Sequence, residues 1–217
     1  ARALGMGFGL WVEPEMVTPD SSLAREHPDW VVAGREHPAV SGREQYLLDL
    51  ELPMVRDYIH SRLVLLIEAA RPDYLKWDMN RDLADLGGRS AIAFTRAWYA
   101  MGERLREAFP DIEIEACAAG GARADCGALA HCDRIWPSDS MDPLQRFRLL
   151  RAATPALPPV WLGAHVGAAT SATSGASLPL STRCAVACLG HFGMELDPTA
   201  LDPGERALLL RWIARFK

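Results

Sequence analysis

The chain has 217 residues, 49% hydrophobic and 24% charged, with a formal net charge of −5. That length and apolar content suffice for one sizeable core, and the acidic balance gives no reason to expect nucleic acid or an anionic membrane as partner. The longest stretch without Asp, Glu, Lys or Arg, residues 152–182, is broken by repeated prolines and glycines and is not a membrane span.

Residues 7–12 (GFGLWV) read as a buried strand. Residues 53–70 place Val55, Ile59, Leu63, Leu66 and Ile67 on one side of a helix. Residues 74–77 form the next strand, 90–109 a long amphipathic helix, and 112–117 (IEIEAC) alternate as a strand. Residues 134–136 give a short strand and 142–153 a helix, with Pro143 acceptable in its first turn. Residues 160–166 are a further strand, 183–189 suit either helix or strand, and 203–216 close as a helix.

Strand and helix alternating without hairpin signals imply parallel strands joined by crossovers. Polar and aromatic groups fall just after the strands, at Trp11, Asp78, Cys117, Asp139 and His165. That distribution suits an α/β chain of (β/α)8 TIM-barrel type, whose strand C-terminal ends assemble one site. No glycine-rich phosphate turn favours a doubly wound sheet instead. About six strands are countable, too few to close an eight-stranded barrel alone.

Nothing at the N-terminus reads as a signal peptide, and a chain opening on ARALGM without an initiator Met reads as a piece of something longer. Cys117, Cys126, Cys132, Cys184 and Cys188 form no CxxC pair and are odd in number. This argues against a zinc site or a disulfide framework, and for a reducing, cytoplasmic setting.

In YLKWDMNRDL a strand ends on Asp78, flanked by Lys76, Trp77 and Asn80. Alternation puts Lys76 and Asp78 on one face, where an ammonium would keep a carboxylate ionised. Asp78 equally suits a helix cap with Lys76 as its ion pair. In RIWPSDSMDPLQR, Asp142 before Pro143 suits an N-cap and leaves Asp139 free, with Trp136 as an apolar neighbour. Two carboxyls from different strands, one ionised and one protonated, are the working parts of a glycosidase. Trp11 and Trp77 would stack on sugar faces near the mouth, or simply contribute buried area.

FGLWVEPEMVTPDSSLAREHPDWVV, GREQYLLDL, YLKWDMNRDL, EIEACAAGGARADCGAL and IWPSDSMD together resemble successive motifs of the family 36 glycoside hydrolases, chiefly microbial α-galactosidases. The resemblance implies a catalytic (β/α)8 barrel over residues 1–217, incomplete at its N-terminal side and covering about strands three to eight. It implies retaining hydrolysis of terminal α-D-galactosides, with Asp78 as nucleophile and Asp139 as acid/base. It puts sugar contacts on Trp11, Arg43, Lys76, Trp77, Met79, Asn80, Cys117 and Gly120, with no cofactor and with assembly into homo-oligomers. Glu13 and Glu15 of EPEM are not the family's acid pair and are read as supporting or structural. Ala116 and Ala119 stand near Cys117, where the family more often has a hydroxyl, so N-acetylgalactosaminides, or sugar binding without turnover, remain alternatives.

Overall fold

The computed structural model describes residues 1–33, 39, 42–81, 83 and 86–217; Asp82 of the YLKWDMNRDL motif lies outside them. The chain divides into two compact units, residues 1–119 with 125–133, and residues 120–124 with 134–217.

The first unit contains β1 (Gly9–Val12), β2 (Met16–Val17), α1 (Ser22–Glu26), β3 (Tyr46–Leu47), α2 (Pro53–Ala70), β4 (Tyr74–Trp77), α3 (Ala91–Ala108), β5 (Glu113–Ala116) and α4 (Cys126–Leu129). Strands β1, β4 and β5 are parallel and in register, so Trp11, Lys76 and Glu115 form one row and Val12, Trp77 and Ala116 the next. The residues that follow, Glu13, Asp78 and Cys117, therefore leave the sheet at one edge. Backbone bonds from Asp78 N to Val12 O (2.9 Å) and Cys117 N to Trp77 O (2.8 Å) extend the ladder to that edge.

Helix α2 begins on Pro53, whose missing N–H costs nothing in a first turn. Val55, Ile59, Leu63 and Ile67 bury one stripe. Leu66, expected on that stripe, is instead 38% exposed, because it lies one residue around the helix from Ile67. Helix α3 is capped by Ser90, which accepts from Ala93 N at 3.3 Å, and buries Phe94, Trp98, Met101 and Leu105. Trp98 meets Trp77 edge to face, with centroids 5.8 Å apart and rings at 77°.

Strand β5 does not alternate as expected: Ile114, Glu115 and Ala116 are all buried. A carboxylate is tolerated there because Lys76 Nζ lies 3.3 Å from Glu115 Oε1. The antiparallel pair of β2 and β3 was not anticipated, since two-residue strands show no periodicity.

The second unit contains β6 (Arg134–Ile135), α5 (Pro143–Ala153), β7 (Gly163–Gly167), α6 (Leu180–Ala187), β8 (His191–Glu195) and α7 (Pro203–Phe216). Strands β7 and β8 are parallel, with His165 opposite Gly193, and a parallel bridge joins Ile135 to Leu162. The expected strand over 160–166 starts later, because Pro159–Trp161 forms a 3-10 turn. Residues 183–189, which suit either helix or strand, fall largely in helix α6, and strand β8 follows without a periodic signal in the sequence. Val166, Leu180, Cys184, Ala187 and Leu209 make this unit's core, with Phe192 and Trp212 against it. Helix α7 opens on a capping box between Asp202 and Glu205. No helix among the described residues is long and apolar enough to cross a membrane.

These placements separate two leucines of one helix. Leu63→Ala, at a 4% exposed position, should lower the unfolding free energy by about 2–5 kcal/mol. Leu66→Ala should cost less than about 1 kcal/mol, because little buried volume is lost there. Urea denaturation of the two variants checks the difference.

Candidate active site

Asp78 stands at the edge of the parallel sheet and is only 5% exposed. Its Oδ1 accepts from Met79 N at 2.8 Å. Its Oδ2 accepts from Trp11 Nε1 at 3.0 Å and from Asn80 Nδ2 at 2.7 Å. Burial alone would push the Asp78 carboxyl up. Hydrogen bonds from the Cys117 thiol, the Trp11 indole, the Asn80 amide and the Met79 N–H outweigh it and hold the group below its ordinary value of 3.8. The result is a buried carboxylate kept charged by neutral donors.

The ammonium expected beside Asp78 has a different ion-pair partner. Lys76 faces Glu115 across the row, and neutral donors hold Asp78 down.

Asn80 is fixed in turn. Its backbone N–H donates to Glu13 Oε1 at 2.5 Å, and Glu13 Oε2 accepts from Gln45 Nε2 at 3.1 Å. An open cavity of about 590 Å³ lies here, lined by Trp11, Glu13, Arg43, Glu44, Gln45 and Asn80 among others. Trp11, 54% exposed, offers it an aromatic surface. Arg43 and Glu44 occupy a two-residue turn closed by Gly42 and Gln45 through bonds of 2.9 and 3.0 Å. Both central residues are left-handed, with φ of 53° and 61°. That conformation costs a non-glycine residue roughly 1–2 kcal/mol, and such strain concentrates where side chains must be presented.

In the second unit Asp139 is exposed and its Oδ1 accepts from Trp136 Nε1 at 3.0 Å. Trp136, expected as an apolar neighbour, thus meets the carboxylate with its polar edge. Gly120, with φ of 92°, packs on the same loop: a Cβ there would lie 2.9 Å from Ser138 Cα and 3.2 Å from Asp139 N. Such close packing on the backbone admits only a glycine at this position. Asp142 is the N-cap of α5, accepting from Gln145 N at 2.8 Å.

A family model described as Melibiase matches residues 1–217. The chain belongs to the melibiase family. Among the relatives of this melibiase-family chain, an Escherichia coli protein named α-galactosidase is 42% identical over 100% of the chain and 31% of its own length. A Pediococcus pentosaceus α-galactosidase 2 is 38% identical over 94% of the chain and 30% of its own length. The solved structure of a family 36 α-galactosidase from Geobacillus stearothermophilus superimposes with a TM-score of 0.94 at 34% identity, covering 99% of this chain and 31% of the other. The chain therefore spans under a third of the length of these relatives.

Of the residues singled out in the melibiase chain, the structure gathers Trp11, Arg43 and Asn80 on one cavity. Trp77 is not near a mouth: it is 1% exposed, packs on Trp98 and donates its indole N–H to the buried Glu15 at 2.8 Å. No ring face is left for stacking. Met79 and Cys117 are buried as well. Met79 touches Asp78 through its backbone N–H, and Cys117 through its thiol. Glu13, expected as supporting or structural, holds Asn80 and Gln45. Its bonds run to residues 32 and 67 positions away, and no local spacing signals them.

A depressed carboxyl contributes stability above its ordinary value and loses that contribution as the pH falls through the depressed one. The stability of the wild type relative to Asp78→Asn should therefore rise with pH through the range below 3.8 and level off above it. Denaturation of both proteins between pH 3 and 6 tests this, and an opposite slope would contradict it.

Proposed function

We propose that this chain carries the catalytic carboxyls of an α-galactosidase that hydrolyses terminal α-D-galactosides with retention of configuration. The observation that carries this reading is Asp78: a carboxylate at a parallel strand end, buried, held ionised by four donors and flanked by residues of an open cavity. A nucleophile must be charged and poorly hydrated, and that environment supplies both conditions.

In the first step Asp78 attacks the anomeric carbon while protonated Asp139 donates to the departing glycosidic oxygen. Asp139 then takes a proton from water, which opens the glycosyl-aspartate ester. This sequence requires the two carboxyls about 5–5.5 Å apart. Trp11 would stack on the sugar, and Arg43, Lys76 and Asn80 would bind its hydroxyls. No metal or organic cofactor takes part.

The relatives named as α-galactosidases support the substrate class, and variants of the Geobacillus enzyme have been solved with raffinose and stachyose. We read the parallel strands and crossover helices as strands three to eight of a (β/α)8 barrel. The natural protein would be a cytoplasmic homo-oligomer, a setting that five free thiols fit.

The test is raffinose hydrolysis by the full natural protein, with the first-formed anomer read by proton NMR. Release of α-galactose is expected, and β-galactose would overturn the retaining mechanism. Asp139→Ala should lower kcat/KM on raffinose by about 10²–10⁴-fold, the usual worth of a general acid. Azide should restore turnover on an activated aryl galactoside, with β-galactosyl excluded and α-galactosyl azide as the product.

A further inference from the structure

Asp139 offers two oxygens, and in a reaction where it delivers a proton only one of them can carry it. Its Oδ1 accepts the Trp136 indole N–H at 3.0 Å. An indole nitrogen only donates, so it takes up one lone-pair direction of Oδ1 and makes that oxygen the less basic of the two, favouring the proton on Oδ2. No described residue of this unit hydrogen-bonds Oδ2.

Trp136 is itself held. The Arg146 guanidinium carbon lies 4.3 Å from its ring centroid, and the His165 ring centroid lies 4.5 Å away at 45°. Arg146 also donates to Ser138 O at 2.8 Å, one residue before Asp139, and to Gly163 O at 3.3 Å. His165 keeps its place because its partner across β7 and β8 is Gly193. A Cβ at that position would lie 2.2 Å from His165 Cδ2, and real side chains never approach so closely. Trp136 is nearly fully buried, and its N–H, the single polar group of an indole, meets the carboxyl. An aromatic cross-link running from Gly193 through His165 to Trp136 thus ends on one chosen oxygen of Asp139.

We propose that Trp136 is a positioning residue for the acid/base: its N–H occupies Oδ1 and leaves Oδ2 to carry and deliver the proton. This rests on the reading of Asp139 as the acid/base. In the first step the Oδ2–H bond breaks and the proton passes to the glycosidic oxygen as the C1–O bond to the leaving group breaks. The electron pair of that bond stays on the departing oxygen, and Asp78 supplies the pair for the new ester bond. In the second step Oδ2 takes a proton back from water. Oδ1 stays bonded to Trp136 throughout.

Leaving-group dependence reads this role. A poor leaving group such as the fructosyl-glucose of raffinose needs the proton, whereas 2,4-dinitrophenolate departs without it. kcat/KM reports only the steps up to the first bond cleavage, so their ratio isolates proton delivery. In the full natural protein, Trp136→Phe keeps a ring and removes the N–H. The raffinose-to-dinitrophenyl-galactoside ratio of kcat/KM should fall by about 10-fold or more, a part of what a general acid is worth. An unchanged ratio, with both rates lowered together or both intact, would overturn the proposal and leave Trp136 a packing residue. Should that variant not fold, site-specific replacement of Trp136 by benzothienylalanine, which has sulfur in place of the N–H in the same ring outline, carries the same comparison. Asp139→Ala runs in parallel. A large fall in its ratio with none for Trp136→Phe rejects the positioning role alone, whereas no fall for Asp139→Ala rejects the acid/base reading and this proposal with it.

Discussion

A carboxylate taken out of water survives as an anion only where hydrogen bonds or an opposite charge replace its hydration. The first unit is organised around that requirement at Asp78. Its donors come from three places in the sequence: Trp11 in β1, Met79 and Asn80 just past β4, and Cys117 just past β5. They converge because three parallel strands run in register and end at one edge. A slip of one residue in β1, β4 or β5 would turn Trp11, Asp78 or Cys117, respectively, to the other face and break the set. The packing of Trp77 on Trp98, and its bond to Glu15, keep β4 in that register from the opposite face. Core and site are therefore one construction: the odd face of β4 is anchored so that the even face can hold a charge.

The two acids are treated differently by their surroundings. Asp78 is buried and bonded on both oxygens, whereas Asp139 is exposed and bonded on one. A group that must stay ionised gains from a full set of donors. On the proposed reading, Asp139 gains and loses a proton, and an oxygen left open to substrate and water serves that role. The loop bearing Asp139 is nonetheless held firmly, by Gly120 and Gly121 against its backbone, by Arg146 and by the Asp142 cap. On the proposed reading of Asp139 as the acid/base, that firm hold suits a proton transfer, which tolerates little positional error.

Much of this was legible in the sequence, and what was not has identifiable causes. Residues 53–70 and 203–216 declared themselves because long stripes at helical spacing leave little choice, and the structure ends both helices where the pattern does. Strand β8 was invisible because HFGME carries a glycine at its centre. That glycine is required by His165 on the neighbouring strand, a contact 28 residues away in the chain. Trp77 was misplaced because alternation tells which residues share a face but not which face is covered. At the site, Asp78 with Asn80 and the cap on Asp142 are local pairings and could be read directly. The Glu13 bonds, the Glu115 partner of Lys76 and the thiol donor to Asp78 join distant segments. Only the register of the folded sheet brings them together.

The measurement closest to the central claim is chemical trapping of the nucleophile. A 5-fluoro-α-galactosyl fluoride accumulates the glycosyl-enzyme by slowing its hydrolysis more than its formation, and peptide mass spectrometry then locates the sugar. The account predicts one galactosyl adduct per chain, on the peptide carrying Asp78 and on that carboxyl. An adduct on another residue, or turnover of the reagent by a protein that never becomes labelled, would contradict it.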